Sequence, residues 1–321
     1  MCGVGNACVA EPGTQGGFSL FPRLPGSLDT RASMPYSALT EGHRFPGTRE
    51  EGHSLPEDLS WLDRPEALQM IFPVVYSPFL PDDVSFLPPP EPVYSIEVEG
   101  GARIDCGFWV AGRQFPTILY FHGNGETVGT CDWIAPSYTG RRINLFVADY
   151  RGYGSSTGKP TISNMIDDAH TIFRGFKEVI ERRGFSDSVF VMGRSLGSIP
   201  AVEVAFGHQD DIRGLIIESG MANNFRPLWE GSGRTAEGDL SSERSLFFNK
   251  VKIRRVRKPT LVIHGEHDQL IPLGEGDELY QNSGANDKRM LVVPGAGHND
   301  LMMVNPGLYF DTIDGFVRTY G

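Results

Sequence analysis

Gly193-Arg194-Ser195-Leu196-Gly197 lies where a buried strand turns into a helix. The apolar run of residues 188–192 predicts the strand, and residues 198–205 predict the start of the helix. A serine on so sharp a turn has a strained backbone, and its hydroxyl points out of the sheet. Since the chain has 39 glycines in 321 residues, a chance match to G-x-S-x-G is easily found. The stretch decides the fold only together with its neighbours.

Short apolar runs alternate with helical patterns on both sides of this turn. Strands are predicted at residues 93–98, 103–110, 117–121, 143–148, 188–192, 214–218, 260–264 and 289–293, the first two as an antiparallel pair. Helices are predicted at residues 61–71, 131–138, 163–183, 198–205 and 308–320. Nearly continuous apolar strands between helices are typical of a mostly parallel sheet covered on both faces. The sequence therefore predicts an α/β fold.

Residues 1–60 differ from the rest of the chain, because they are rich in Gly, Pro, Ser and Arg and have no apolar periodicity. We interpret them as a poorly ordered N-terminal extension. Residues 61–321 are predicted to form one domain. Within it, residues 220–258 form an insertion between two core strands, which leaves room for a small cap.

Composition excludes several classes of function. The formal net charge of −11 argues against nucleic acid as a main partner and against attraction to anionic membranes. No stretch reaches the ~18–20 apolar residues of a membrane span, and no secretory signal is recognisable. The four cysteines are scattered and form no C-x-x-C pair, which predicts reduced thiols in a cytoplasm and no metal site. The sequence leaves the oligomeric state open.

Polar residues follow the ends of the predicted strands, where sites of parallel sheets lie. Serine is a poor nucleophile unless a base takes its proton and a third group orients the base. Ser195 is the predicted nucleophile, His298 after the last strand the base, and Asp268 after the strand 260–264 the orienting acid. Glu266 and Glu218 are the alternatives for the acid.

An oxyanion hole needs backbone N–H groups that point at the developing negative charge. One donor is predicted at Leu196, directly after the nucleophile. The other is predicted in the loop after the strand 117–121, at Asn124, with Gly125 as the alternative.

From about residue 92 to 321 the chain resembles the α/β-hydrolase superfamily. The residues that carry the resemblance are the order Ser195, Asp268, His298 and the segments His122-Gly123-Asn124-Gly125, Asp149-Tyr150-Arg151-Gly152-Tyr153-Gly154, Gly265–Pro272 and Gly297-His298. Within the superfamily the chain looks most similar to the Bem46-like, ABHD13-like and ABHD17-like serine hydrolases. The resemblance implies an α/β-hydrolase fold and hydrolysis of an ester, thioester or amide through an acyl-serine.

Four further residues are candidates for the substrate pocket. Glu126 is either an acid at a helix N-terminus or a pocket carboxylate. Met221, Phe225 and Trp229 either wall an acyl pocket or pack the cap onto the body. Arg194 is predicted to be a buried residue that hydrogen-bonds neighbouring loops.

The favoured prediction is a serine hydrolase that cleaves small-molecule carboxylic esters without a metal or organic cofactor. A thioesterase or acyltransferase would use the same three residues, and the basic cluster Lys250, Lys252, Arg254, Arg255, Arg257 and Lys258 could then hold a phosphate. A serine peptidase or amidase would need a group that binds an amine, for which Glu126 is the candidate. A non-catalytic binding protein would be expected to lack at least one of Ser195, Asp268 and His298.

Overall fold

An eight-stranded sheet lies at the centre of the fold. The structure is a computed structural model that describes residues 57–76, 93–225 and 247–321. Its strands are β1 (Val93–Glu97), β2 (Arg103–Trp109), β3 (Thr117–Phe121), β4 (Asn144–Ala148), β5 (Val189–Arg194), β6 (Gly214–Glu218), β7 (Thr260–Gly265) and β8 (Lys288–Val293). In space they follow the order β1-β2-β4-β3-β5-β6-β7-β8. Each predicted strand is present, within one or two residues at its ends.

The sheet is mostly parallel. β1 pairs with β2, and β2 with β4, in antiparallel register. From β4 onward, neighbouring strands pair in parallel. Every residue of the five strands from β3 to β7 is buried, which requires layers on both faces of the sheet.

The described helices supply those layers. They are α1 (Pro65–Ile71), α2 (Pro73–Tyr76), α3 (Ala135–Thr139), α4 (Ile162–Arg182), α5 (Ser198–Gly207), α6 (Asn249–Lys252), α7 (Leu273–Asn282), α8 (Leu301–Val304) and α9 (Pro306–Tyr320). Apolar residues of α1, α4, α5 and α7 form one core. Those of α3, α8 and α9 form a second core on the opposite face. The prediction of an α/β-hydrolase fold with helices on both faces is confirmed.

The segment that contains α1 is joined to the body of the fold. Asp63, at the end of a 3-10 helix (Glu57–Asp63), accepts the N–H of Ile162 at 2.7 Å and so caps α4 from outside. Thr161 and Asn164 form a capping box at the same helix end. The segment that contains α1 is therefore packed against the body of the fold.

Two predicted helices are interrupted. In place of a helix over residues 61–71, the 3-10 helix (Glu57–Asp63) is followed by α1, which begins at Pro65. In place of a helix over residues 131–138, a 3-10 helix (Gly129–Trp133) is followed by α3, which begins at Ala135. Pro136 explains the break, since proline suits the first turn of a helix but cannot donate within one. The helices α2, α6, α7 and α8 were not predicted. In α7, Gly274 and Gly276 weaken the helical signal.

Several predictions fall outside the described residues. These are most of the N-terminal extension and residues 226–246 of the insertion. The domain boundaries at residues 60 and 61 stay predictions. Among the helices that the structure describes, none combines the length and apolar character needed to cross a membrane.

Three residues of the basic cluster contact neighbouring elements. Lys250 Nζ lies 3.1 Å from Glu278 Oε1, and Arg254 Nε donates to Asn282 Oδ1 at 2.8 Å. Lys252 is buried against the carboxylate of Glu203, which lies on α5, the helix that follows Ser195. These residues tie the C-terminal end of the insertion to α5 and α7.

The Glu203–Lys252 pair predicts how stability depends on pH. Burial raises the pKa of Glu203, but Lys252 and His170 outweigh it and lower the pKa from 4.5 to about 2. A carboxyl group whose pKa is depressed on folding stabilises the native state above its unfolded pKa and loses that effect as pH falls through its folded pKa. The free-energy difference between the wild-type protein and Glu203→Gln should therefore shrink as pH falls from about 4.5 towards 2. Urea unfolding over this pH range measures it, and a constant difference would contradict the assignment.

Candidate active site

Ser195 sits on a tight turn at the end of β5. Its backbone has φ of 52°, a left-handed conformation that strains any residue with a Cβ. A 3-10 turn (Ser195–Gly197) leads directly into α5. A Cβ at Gly197 would collide with the carbonyl oxygen of Phe121, and a Cβ at Gly193 with that of Gly197. Gly197 thus lets the turn pack against the end of β3, and Gly193 lets the turn close on itself.

The structure brings Ser195, His298 and Asp268 together in a continuous hydrogen-bonded chain. Ser195 Oγ lies 2.9 Å from His298 Nε2, and His298 Nδ1 lies 2.7 Å from Asp268 Oδ2. All three side chains are buried, with 6–8% of each residue exposed. When Nδ1 donates to the carboxylate, Nε2 is left to accept the proton of the serine hydroxyl.

Asp268 is held by its own loop as well as by His298. Its Oδ1 accepts the backbone N–H groups of Leu270 at 3.0 Å and Ile271 at 2.8 Å. Burial raises the pKa of Asp268, but the hydrogen bonds from His298 and Ile271 outweigh it and lower the pKa below the usual value. The carboxyl group is therefore ionised at neutral pH.

The two alternative acids have other partners. Glu218 accepts from Arg194 Nε at 3.2 Å and from Tyr309 Oη at 2.6 Å. Glu266 accepts the N–H of Gly295 at the surface. The structure therefore brings Asp268 to His298, and places neither Glu218 nor Glu266 there.

Arg194 connects the loops around this chain of three residues. It is 5% exposed, and besides Glu218 it donates to Glu126 Oε1 at 2.5 Å, to the His298 carbonyl at 3.0 Å and to Asn299 Oδ1 at 2.9 Å. Burial lowers its pKa, but Glu218 and Glu126 outweigh it and hold the pKa above the usual value of arginine. The geometry agrees with the predicted loop-bonding function.

Glu126 bonds both the loop after β3 and Arg194. Its Oε2 accepts the N–H of Gly123 at 2.8 Å, while Oε1 pairs with Arg194. Its carboxylate is therefore paired with a buried arginine, which it shares with Glu218.

The loop after β3 carries the predicted oxyanion donors. Asn124 and Gly125 are exposed, and Gly125 has φ of 81°, which glycine adopts without strain. The Asn124 side chain is fixed, because its Nδ2 donates to the Ile71 carbonyl at 2.8 Å and its Oδ1 accepts from Tyr153 Oη at 2.7 Å. Leu196 is buried in the turn after Ser195.

The predicted pocket residues are described only in part. Met221 and Phe225 are half-buried and pack against the core on the α5 face. The backbone of Met221 is held by Ser198 and Asn249 at the start of α5 and of α6. Trp229 lies outside the described residues. Over residues 57–76, 93–225 and 247–321, no three potential ligands converge in a way that would hold a metal ion.

Known proteins resemble this chain in sequence and in fold. Residues 113–232 match a family model described as "Serine aminopeptidase, S33". Human "Alpha/beta hydrolase domain-containing protein 17B" is 30% identical over 220 residues, which cover 68% of this chain and 72% of the human protein. The chain belongs to the α/β-hydrolase family. The predicted resemblance to its ABHD17-like branch is confirmed.

One further relative and two solved structures are similar to this α/β hydrolase. "Alpha/beta hydrolase domain-containing protein aho-3" of Caenorhabditis elegans is 32% identical over 186 residues, or 58% of this chain; the match spans 53% of aho-3. The Pyrococcus furiosus esterase Pf2001 superimposes with a TM-score of 0.58 at 18% identity, covering 71% of this chain and 91% of the esterase. Est1E of Butyrivibrio proteoclasticus with bound ferulic acid gives 0.57 at 16% identity, covering 71% and 98%. At these identities the solved structures share the fold.

Sequence reasoning missed three contacts around the site of this hydrolase. The Ile71 carbonyl and Tyr153 hold Asn124, and His264 lies 3.4 Å from Asp268 Oδ2. Tyr153 belongs to a segment that the family resemblance singled out, so its position was a usable signal. The Ile71 contact left no signal, since it uses a backbone oxygen 53 residues away.

Replacing Arg194 by methionine should destabilise this hydrolase. The change leaves Glu218 buried without its cation, and breaking one side of a buried ion pair costs about 3–5 kcal/mol. The control is Arg213→Met, which breaks the exposed pair with Asp187 and should cost less than about 1 kcal/mol. Denaturant unfolding measures the free energy of unfolding of both variants. Equal losses of stability would show that the buried contacts of Arg194 stabilise the fold no more than the exposed pair of Arg213 does.

Proposed function

We propose that this α/β hydrolase is a serine esterase that cleaves carboxylic esters through an acyl-serine intermediate. The observation that carries the proposal is the hydrogen-bonded chain from Ser195 Oγ through His298 to Asp268. Such a chain is the arrangement that makes a serine hydroxyl nucleophilic at neutral pH.

In the proposed mechanism each of the three residues has its own step. Ser195 Oγ attacks the ester carbonyl while His298 Nε2 takes its proton. His298 then gives that proton to the leaving alcohol, and the acyl group stays on Ser195. A water molecule, activated by His298 in the same way, attacks the acyl-serine and releases the acid. Asp268 keeps Nδ1 protonated and stabilises the imidazolium through its ionised carboxylate.

The tetrahedral oxyanion needs donors that are in place before the reaction. We assign these to the N–H groups of Leu196 and Asn124, with Gly125 as the alternative for the second donor. The side-chain bonds of Asn124 to Ile71 and Tyr153 support this assignment, because they fix the loop before substrate arrives. Loss of one such donor lowers kcat by about 10²–10³-fold.

Ester substrates are favoured over the thioesters of a thioesterase or acyltransferase and over the amides of a peptidase or amidase. An amine-binding site would have used Glu126, which is paired with Arg194. A site for a phosphate-bearing thioester would have used the basic cluster, of which Lys250 and Lys252 are paired with carboxylates. A small-molecule acyl ester therefore fits the described residues best, and it needs no cofactor. Met221, Phe225 and Trp229 are the residues that we propose for its acyl pocket.

A cytoplasmic location belongs to the same proposal. Cys106 and Cys131 are buried free thiols, and burial raises the pKa of both. Unpaired, unreactive thiols support a reducing compartment.

Hydrolysis of p-nitrophenyl esters, from acetate to palmitate, tests the proposal. We expect turnover that peaks at one acyl length and is lost in Ser195→Ala. A parallel series of acyl thioesters separates esterase from thioesterase activity, and aminoacyl p-nitroanilides separate it from peptidase activity. A folded protein that cleaves only the thioesters or only the anilides would overturn the ester assignment, and turnover retained in Ser195→Ala would overturn the mechanism.

A further inference from the structure

His264 is a completely buried histidine beside the proposed acid. It is the fifth residue of β7, with 0% of its surface exposed. Its Nε2 lies 2.8 Å from the carbonyl oxygen of Ile271 and 3.4 Å from Asp268 Oδ2. One ring nitrogen therefore faces both the carboxylate of Asp268 and the end of the loop that carries it.

The proton on His264 can be placed on Nε2. A carbonyl oxygen only accepts hydrogen bonds, so the short contact to Ile271 requires an N–H at Nε2. Nδ1 is buried without a hydrogen-bond partner, and helix α7 packs so closely against it that a Cβ at Gly276 would collide with it. The ring is thus held between β7 and α7 in a single tautomer.

His264 is also uncharged in the folded protein. Burial lowers its pKa, and the Ile271 carbonyl and Asp268 oppose this only in part. A neutral ring donates a hydrogen bond without cancelling the charge of Asp268, which is the charge that a protonated His298 needs.

We propose that His264 is a positioning residue for Asp268. It closes the loop Asp268–Ile271 by bonding the Ile271 carbonyl, and its Nε2–H faces the same Oδ2 that accepts from His298. This inference rests on the proposed serine-hydrolase function. It adds a second histidine, which touches neither substrate nor Ser195 and acts only through Asp268.

Asp268 has four contacts, and they explain how His264 affects its position. Oδ1 accepts two N–H groups from the loop, and Oδ2 faces the two histidines. The loop donors hold Oδ1 only while the loop keeps its shape, and the Ile271 carbonyl is the group through which His264 fixes that shape. A displacement of a catalytic group by about 1 Å costs on the order of 10²-fold in rate.

A matched pair of amides tests the proposal. In His264→Gln the amide nitrogen is as many bonds from the backbone as Nε2, so it can still reach Ile271. In His264→Asn the amide nitrogen stops at the place of Nδ1. We expect the asparagine variant to lower kcat for the best ester by about 10–100-fold with little change in KM, and the glutamine variant to keep most of the rate.

A double-mutant cycle with Asp268→Asn separates positioning from general damage to the fold. The readout is the rate at which a fluorophosphonate labels Ser195, which needs no knowledge of the substrate. If His264 acts through Asp268, His264→Asn should slow labelling in the wild-type background and have almost no further effect beside Asp268→Asn. Thermal unfolding of each variant shows that it is folded.

Four outcomes would overturn the proposal. A His264→Asn variant that is labelled as fast as wild type, or slowed by the same factor in both backgrounds, assigns His264 a purely structural function. A glutamine variant as slow as the asparagine variant removes the Nε2 donor from the argument. If the folded wild-type protein is not labelled at all, the serine-hydrolase proposal itself fails, and this inference fails with it.

Discussion

Ser195→Ala should lower the rate of ester hydrolysis by about 10⁶-fold, the size of effect known for loss of a serine nucleophile. The hydroxyl is the group that forms the acyl intermediate, and no neighbouring side chain of the described site can replace it. The residual rate should come from the oxyanion donors and His298, acting on a bound water. Steady-state turnover of the best p-nitrophenyl ester measures the effect.

The same substitution should leave the fold almost unchanged. Alanine and serine both carry a Cβ, so the strain at φ of 52° is equal in the two proteins. The change removes one hydrogen bond to His298, worth about 1 kcal/mol. Thermal unfolding is the control, and a variant that loses activity together with its cooperative transition would not support a chemical function for Ser195.

Asp268→Asn should lower kcat by about 10⁴-fold through a change of imidazole tautomer. The N–H groups of Leu270 and Ile271 require an acceptor at the place of Oδ1, so the asparagine oxygen will take that place. Its NH₂ group will then face His298 Nδ1 and donate to it. The ring proton is forced onto Nε2, which can no longer accept the proton of Ser195.

Glu218→Gln is the matched control for this change. It also neutralises a buried carboxylate at the end of a neighbouring strand, but Glu218 bonds Arg194 and Tyr309 instead of His298. We expect kcat to fall by less than about 10-fold, since the ring of His298 keeps its tautomer. If Glu218→Gln is the more damaging substitution, Asp268 is not the acid.

The sheet and the three central site residues could be predicted from sequence because each depends on local pattern. Buried parallel strands give short apolar runs, and the carboxyl ends of such strands meet at one edge of the sheet. Ser195, Asp268 and His298 each follow such a run, so their meeting required no knowledge of long-range contacts.

The partners of Glu126 and His264 could not be predicted in this way. Glu126 meets Arg194 across 68 residues, and no periodicity links the two positions. His264 stands four residues before Asp268, but a strand end and a loop separate them, so the spacing alone does not indicate a contact. Pro136 indicates a break in the helix over residues 131–138, whereas the apolar pattern around it predicts a continuous helix.

Arg194 makes three segments of the chain mutationally interdependent. One guanidinium bonds Glu126 after β3, Glu218 at the end of β6, and His298 and Asn299 after β8. Residues that share one partner show coupling energies rather than additive effects. A segment transplanted singly from a relative would leave Arg194 without a carboxylate or without an acceptor for its N–H groups. We therefore expect these segments to exchange successfully only as a set.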